Sequence, residues 1–222
     1  MFNLIIKDIL IQKKNLLFAL LYTIFGSVAF FQMGPGGFGL YVISPMAVIY
    51  ILVTFAVSYD DKNKSEFILN SLPVERSDIV ISKYMSTFVY AIIGVIYAIL
   101  IGLIGKAIGL SMFSRSISLL NIVFVFTTSC IFSSIFFPVY FKFGNIKMKF
   151  FNIILFMIII FSPTFYFDYV TKNPKNILIE KINYFITNTS SFTLNSLALI
   201  IGLFIFLISL MISIRIYNNK EF

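Results

Sequence analysis

Long apolar runs alternate along the chain with short polar or charged segments. Six runs are long enough to cross about 30 Å of hydrocarbon: Leu16–Met33, Phe38–Ser58, Tyr84–Ile104, Ile117–Tyr140, Phe150–Phe167 and Thr193–Ile214. None contains an Asp, Glu, Lys or Arg. A charge at the bilayer centre costs about 2.5–3.5 kcal/mol on insertion scales, so each clean run predicts a transmembrane helix. Pro163, near the end of the fifth run, predicts a kink or an early stop there. Ahead of the first run, Phe2, Ile5, Ile6, Ile9 and Leu10 recur at helical spacing, with Asn3, Lys7, Lys13 and Lys14 largely elsewhere around the wheel. Residues 1–15 therefore predict an elbow helix in the membrane surface, its lysines on anionic lipid headgroups.

Composition agrees with that pattern. The 222 residues are 59% hydrophobic and 12% charged, against about 25% charged in a soluble domain. The mean hydropathy is +0.99. The expectation is an all-α integral membrane protein, a single transmembrane domain over 1–222 with no room for a separate soluble catalytic domain. The net charge of +8 sits beside apolar runs, so membrane lipids rather than nucleic acid are the expected counterpart. With the N-terminus inside, twelve of the 17 Lys and Arg fall on the cytoplasmic side, which predicts both termini in the cytoplasm. The Lys-bearing start leads into the first run without an A-x-A-like site, so no cleaved leader is expected. No internal repeat suggests the inverted halves of many secondary transporters.

Several chemistries are excluded. Cys130 is the single cysteine and there is no His, so no intrachain disulfide can form and the commonest metal ligand and general base are missing. No span holds a carboxylate, which argues against an intramembrane metalloprotease and against an ion-coupled transporter or channel. No G-x-x-x-x-G-K-[ST] run is present, so the chain cannot bind ATP in the P-loop manner. Gly34-Pro-Gly-Gly-Phe-Gly39 fits G-x-G-x-x-G, but it lies between two spans without a preceding strand and reads as a tight outer turn. No catalytic residue, metal or cofactor is expected on this chain.

The most informative polar segment is the inner loop 59–83. Ser65 reads as the N-cap of a short helix, Glu66–Leu72, with Glu66 at the positive end of its dipole. Pro73 ends that helix. Ser77 reads as the next N-cap, with Asp78 in the first turn of a helix that continues into span three. Phe67, Ile68 and Leu72 would project as an apolar knob ringed by Glu66, Asn70, Glu75 and Arg76. Such a knob suits docking into a groove on a soluble partner, or dipping into lipid.

The run Asn70-Ser-Leu-Pro-Val-Glu-Arg-Ser-Asp-Ile-Val-Ile-Ser-Lys-Tyr84 resembles the loop between spans two and three of small bacterial ABC-2-type exporter permeases. Their recurrent pattern S-L-P-[VI]-x-R-x-x-[IV]-V-x-x-[KR]-[YF] is matched by Ser71, Leu72, Pro73, Val74, Arg76, Ile79, Val80, Lys83 and Tyr84. Size and layout are most similar to short permeases that export amphipathic peptides such as phenol-soluble modulins. The resemblance implies a multi-pass permease of the bacterial plasma membrane, working as a homodimer or paralogous heterodimer. A separate cytosolic ABC ATPase, carrying ATP and Mg, would drive it. Glu66, Phe67, Ile68, Leu69, Asn70, Ser71, Leu72, Pro73, Glu75 and Arg76 would form the ATPase-coupling element. Arg76, Asp78 and Lys83 would hold it to the foot of span three. The substrate class implied is a hydrophobic or amphipathic peptide, and the alternatives are a non-transporting membrane protein such as an immunity or assembly factor, or an ion-coupled transporter.

Three further stretches carry expectations. In the outer loop 168–192, Asn173 as N-cap and Pro174 at N1 precede Ile177, Leu178, Ile182, Phe185 and Ile186, which predicts an amphipathic helix at the outer surface; it either merely closes the loop or, as the resemblance implies, lids the exit. Gly94, Ala98 and Gly102 recur every four residues on span three, a spacing that suits close helix packing within the chain or at a subunit interface. On span four, Thr127, Thr128, Ser133 and Ser134, with Ser129 and Cys130, are candidates for lining a pathway or for bonding their own helix backbone.

Overall fold

The architecture is that of a computed structural model, which describes residues 2–29, 39–110, 113, 116–172 and 188–220. Those residues form helices joined by short turns, with no strand among them. Helix α1 spans Phe2–Ile11 and α2 spans Lys13–Ala29, with Gln12 as the break between them. A π-helical turn, Gly39–Ile43, runs directly into α3, Ser44–Lys62. Pro45 lies in the first turn of α3, where the change of winding absorbs its missing N–H. Then follow α4 (Ser65–Ser71), α5 (Arg76–Ala107), α6 (Leu119–Lys172) and α7 (Ser191–Asn218).

Four stretches are long and apolar enough to cross a membrane: Gly39–Lys62, Arg76–Ala107, Leu119–Gly144 and Ser191–Asn218. They correspond to the second, third, fourth and sixth apolar runs. The first run coincides with α2 as far as Ala29, and its remaining residues lie outside the described ones. The fifth run falls in the second half of α6. Pro163 does not end that helix; the break is at Gly144, with φ 72° and ψ 174°, a conformation open essentially to glycine alone. The Gly34–Gly37 turn and the outer helix led by Asn173 and Pro174 lie outside the described residues.

Helix α3 is the centre of the bundle, packed against α2, α5 and α6. Its apolar window is 72% buried, against 22% for α7 at the periphery. The core between them is largely aromatic: Tyr84 packs on Phe137 and edge-on to Phe206, and Phe136, Phe137 and Phe141 continue the stack to Tyr217. The small-residue stripe of α5 is what lets α3 come close. A Cβ on Gly94 would sit 3.1 Å from backbone atoms of Pro45, Ala98 is fully buried, and a Cβ on Gly102 would meet the Tyr41 hydroxyl. The whole stripe is thus occupied by this chain's own α3 and π-helical turn.

Candidate functional site

Helix α4 stands at the end of the bundle where α3 stops. The reversal is tight: the Asn63 N–H donates to Tyr59 O at 3.0 Å and the Lys64 N–H to Asp61 O at 3.1 Å. Lys64 then takes φ 48°, ψ 37°, the left-handed region that non-glycine residues enter rarely. That turn shifts the cap by one residue. Lys64, not Ser65, is the N-cap, and Ser65 is the first helical residue, so α4 covers Ser65–Ser71 rather than Glu66–Leu72. At the other end Pro73 acts as expected, holding Leu72 extended at φ −84°, ψ 155°. A tight turn across Pro73, closed by the Val74 N–H donating to Leu72 O at 2.7 Å, leads to Glu75, which is extended at φ −66°, ψ 141° and replaces Ser77 as the N-cap of α5. Ser77 lies in the first turn and donates to the Glu75 carboxylate at 3.1 Å. Asp78 also lies in that turn.

The two faces of α4 differ sharply. Leu69 is buried at 7% exposure and anchors the helix, whereas Phe67, Ile68 and Leu72 are 60%, 59% and 48% exposed. Ser71 bonds back to Ile68 O at 2.8 Å. The polar residues tie α4 to the last turn of α7. Glu66 pairs with Lys220 at 2.7 Å, and Asn70 donates to Glu66 O at 2.8 Å and to the Tyr217 hydroxyl at 3.3 Å. Arg76 donates to Asn218 O at 2.9 Å and Lys220 O at 3.2 Å, satisfying carbonyls that a helix C-terminus leaves open. Arg76 therefore fastens the loop to α7 rather than only to the foot of α5.

Lys83 sits two turns into α5 and is buried. Its ammonium lies between Asp8 of α1, at 2.9 Å, and Asp60 of α3, to which it is also ion-paired. Lys7 approaches the same two carboxylates, Asp60 at 3.3 Å and Asp8 at 3.5 Å. Lys7 thus turns inward and not to lipid, because two buried carboxylates need a second cation beside Lys83. Lys13 and Lys14 remain exposed. Ser86 donates to Asp8 at 3.4 Å. One turn further along, Gln12 donates to Leu52 O and to the Tyr90 hydroxyl, each at 2.8 Å. A cavity of about 10 Å³ lined by Asp8, Lys83, Ser86, Tyr90, Phe137 and neighbouring valines adjoins this cluster, room for about one water molecule.

The span-four hydroxyls point elsewhere. Thr127 bonds Val123 O, Thr128 bonds Phe124 O, Ser133 bonds Ser129 O and Ser134 bonds Cys130 O, all at 2.6–2.9 Å. They serve their own helix and, at Thr127, pack against Gly202 of α7. The hydrogen bonds that do cross between helices there involve residues sequence reasoning passed over. Ser209 donates to Ser134 O at 2.7 Å, and the Tyr84 hydroxyl lies 2.8 Å from Ser209 Oγ and 2.7 Å from Ser213 Oγ.

Asp8, Gln12, Ser209, Ser213 and Tyr217 do not stand out one by one in the sequence, and on α1 and α2 the only signal is a stripe. Asp8, Gln12, Asn15, Ala19, Thr23 and Ser27 are all buried and recur every three or four residues. In a membrane helix such a polar and small stripe marks the face turned to protein, while apolar side chains face lipid. Among the described residues no group of His, Cys, Asp and Glu could hold a metal ion.

The arrangement joins a short helix with an exposed apolar knob to the ends of three longer helices suited to crossing a membrane. No curated protein and no solved structure matches the chain. Residues 3–218 match the family model for the ABC-2 family transporter protein. With nearly its whole length covered, the chain belongs to the ABC-2 family of membrane transporter proteins.

Proposed function

We propose that this chain is the permease subunit of an ATP-driven exporter of hydrophobic or amphipathic peptides in the bacterial plasma membrane. ATP and Mg bind a separate cytosolic ABC ATPase, and α4 is the element that ATPase pushes. Two permease copies, identical or paralogous, complete the pathway. Each crosses the membrane six times with both termini in the cytoplasm, and the elbow α1 lies against membrane lipids. The observation that carries this reading is the exposed Phe67, Ile68 and Leu72 knob on a helix whose polar side is fastened to α7. Exposed apolar side chains on a charged loop are stabilised by a partner's groove. Closure of the ATPases on ATP would displace α4, and α5 and α7 with it, turning the pathway from inside to outside. ATP supplies the difference in binding energy that such a two-state change requires.

The test uses the tagged permease together with the ATPase that co-purifies from its native membrane. Converting Phe67 and Leu72 to Asp is expected to weaken recovery of the ATPase and permease-stimulated hydrolysis at least about tenfold, the size of a lost interface hot spot. Normal recovery and stimulation by the doubly substituted permease would sink the assignment of α4.

A further inference from the structure

The ion cluster around Lys83 does more than close the foot of the bundle. Asp60 stands two residues before the end of α3, at the entrance to the α4 loop, and Lys83 stands just inside α5, at its exit. Their pairing clasps the two stems of the loop together. Asp8 comes from a different part of the chain, and it brings α1 onto the same ammonium. The junction of α1 with α2 is pinned independently, since Gln12 spends both amide hydrogens on α3 and α5. Asp8 and Gln12 are buried, and charged or amide groups held in a closed site tolerate little relative movement before a hydrogen bond is lost.

We propose that Asp8 and Lys83 are positioning residues that weld the N-terminal elbow to the α4 loop, so that α1 moves with α4 as one body when nucleotide is bound. This rests on the assignment of α4 to ATPase coupling. The physical consequence is a third output of the loop besides α5 and α7. Movement delivered at α4 passes through Asp60 and Lys83 to Asp8, and then through Gln12 to α2, which has no direct covalent link to the loop. A demonstrated two-state element biased from one site is what such a claim needs.

The permease–ATPase complex in nanodiscs provides it. In a Cys130→Ala background, spin labels are placed in pairs at exposed sites: Phe2→Cys on α1, Asn63→Cys at the α4 turn and Leu119→Cys at the start of α6. Distances are measured by pulsed electron resonance without nucleotide and with ATP and vanadate. With Asp8 intact, the 2–63 distance should stay fixed while the 2–119 and 63–119 distances both shift. In a Lys7→Ala background, which removes the other ion pair from α1 to Asp60, Asp8→Ala leaves Lys83 paired with Asp60, so the 63–119 shift should persist while the 2–119 shift is lost. Asp8→Glu, which restores the carboxylate, should recover it, an outcome that loss of packing alone would not produce. Should Asp8→Ala fail to accumulate, the isosteric Asp8→Asn is judged by the same distances. A 2–119 shift that survives loss of the carboxylate, or a 2–63 distance that changes with nucleotide in the unsubstituted complex, overturns the weld alone. A 63–119 distance indifferent to nucleotide overturns both the weld and the coupling role of α4.

Discussion

At Tyr84 one phenol oxygen closes a polar chain through an otherwise aromatic core. Ser209 uses its proton on Ser134 O, so it accepts from Tyr84, and Tyr84 in turn accepts from Ser213. Removing that hydroxyl leaves two buried serines to rebond to their own helix, which Ser side chains do readily. Tyr84→Phe is accordingly expected to cost about 1 kcal/mol, at the lower end for a buried hydrogen bond. Thermal unfolding in detergent would show it as a lowered midpoint, and an unchanged midpoint would mean the chain of bonds contributes nothing. At this scale the sequence was only partly readable. The exposure of Phe67, Ile68 and Leu72 followed from their placement on a short polar loop, and the extended Leu72 followed from Pro73. Asp8 did not follow, because beside Lys7 an acidic residue on a surface helix reads as solvated. Its burial is decided by Lys83, 75 residues away, and no local pattern carries that distance.

The helices were easier to read than their faces. Apolar runs predicted the π-helical turn with α3, the first half of α6 and α7 within a few residues, since length and the absence of charge suffice for that, whereas α5 starts at Arg76, well ahead of its run at Tyr84. Which side of each helix turns inward depends on the smaller and more polar positions. On α7 these are Gly202, Ser209, Ser213 and Tyr217, joined by Phe206; on α5 they include Gly94, Ala98 and Gly102. The α5 stripe also yields a discriminating substitution. Gly94→Ala would place its methyl 3.1 Å from Pro45 Cα and O, backbone atoms that cannot swing aside, so a cost of about 1–3 kcal/mol is expected. Gly202→Ala would meet chiefly the Thr127 methyl at 3.3 Å, and should cost less. Midpoints of thermal aggregation would rank the two. If Gly94→Ala instead left stability intact and changed the number of permease copies per particle, the stripe would be serving a subunit interface.

For the molecule as a whole, the positions of the chain's two ends constrain its path through the membrane. Helix α1 is held against Asp60 and Lys83, and the end of α7 against Glu66, Asn70 and Arg76, so both ends and α4 share one end of the bundle. Helix α3 finishes at that end, hence the π-helical turn at its start lies at the far one, where α2 packs against it. The stretch Leu119–Gly144 returns to the α4 end, where Phe141 packs on Tyr217, and α7 finishes there too. Under the six-span proposal, two further crossings join the four stretches that are long and apolar enough. In that proposal the excess of Lys and Arg makes the α4 end the cytoplasmic one. An impermeant thiol reagent offers the check, applied to right-side-out and inverted vesicles of the Cys130→Ala chain. Cysteines at Asn3, Asn63 and Asn219 should react only in inverted vesicles, and a cysteine at Ile108, 69% exposed beyond α5, only in right-side-out ones. If Asn3 or Asn219 reacted from the face opposite to Asn63, the chain would cross an odd number of times between them, and the clasp of both ends onto the α4 loop could not exist in the membrane.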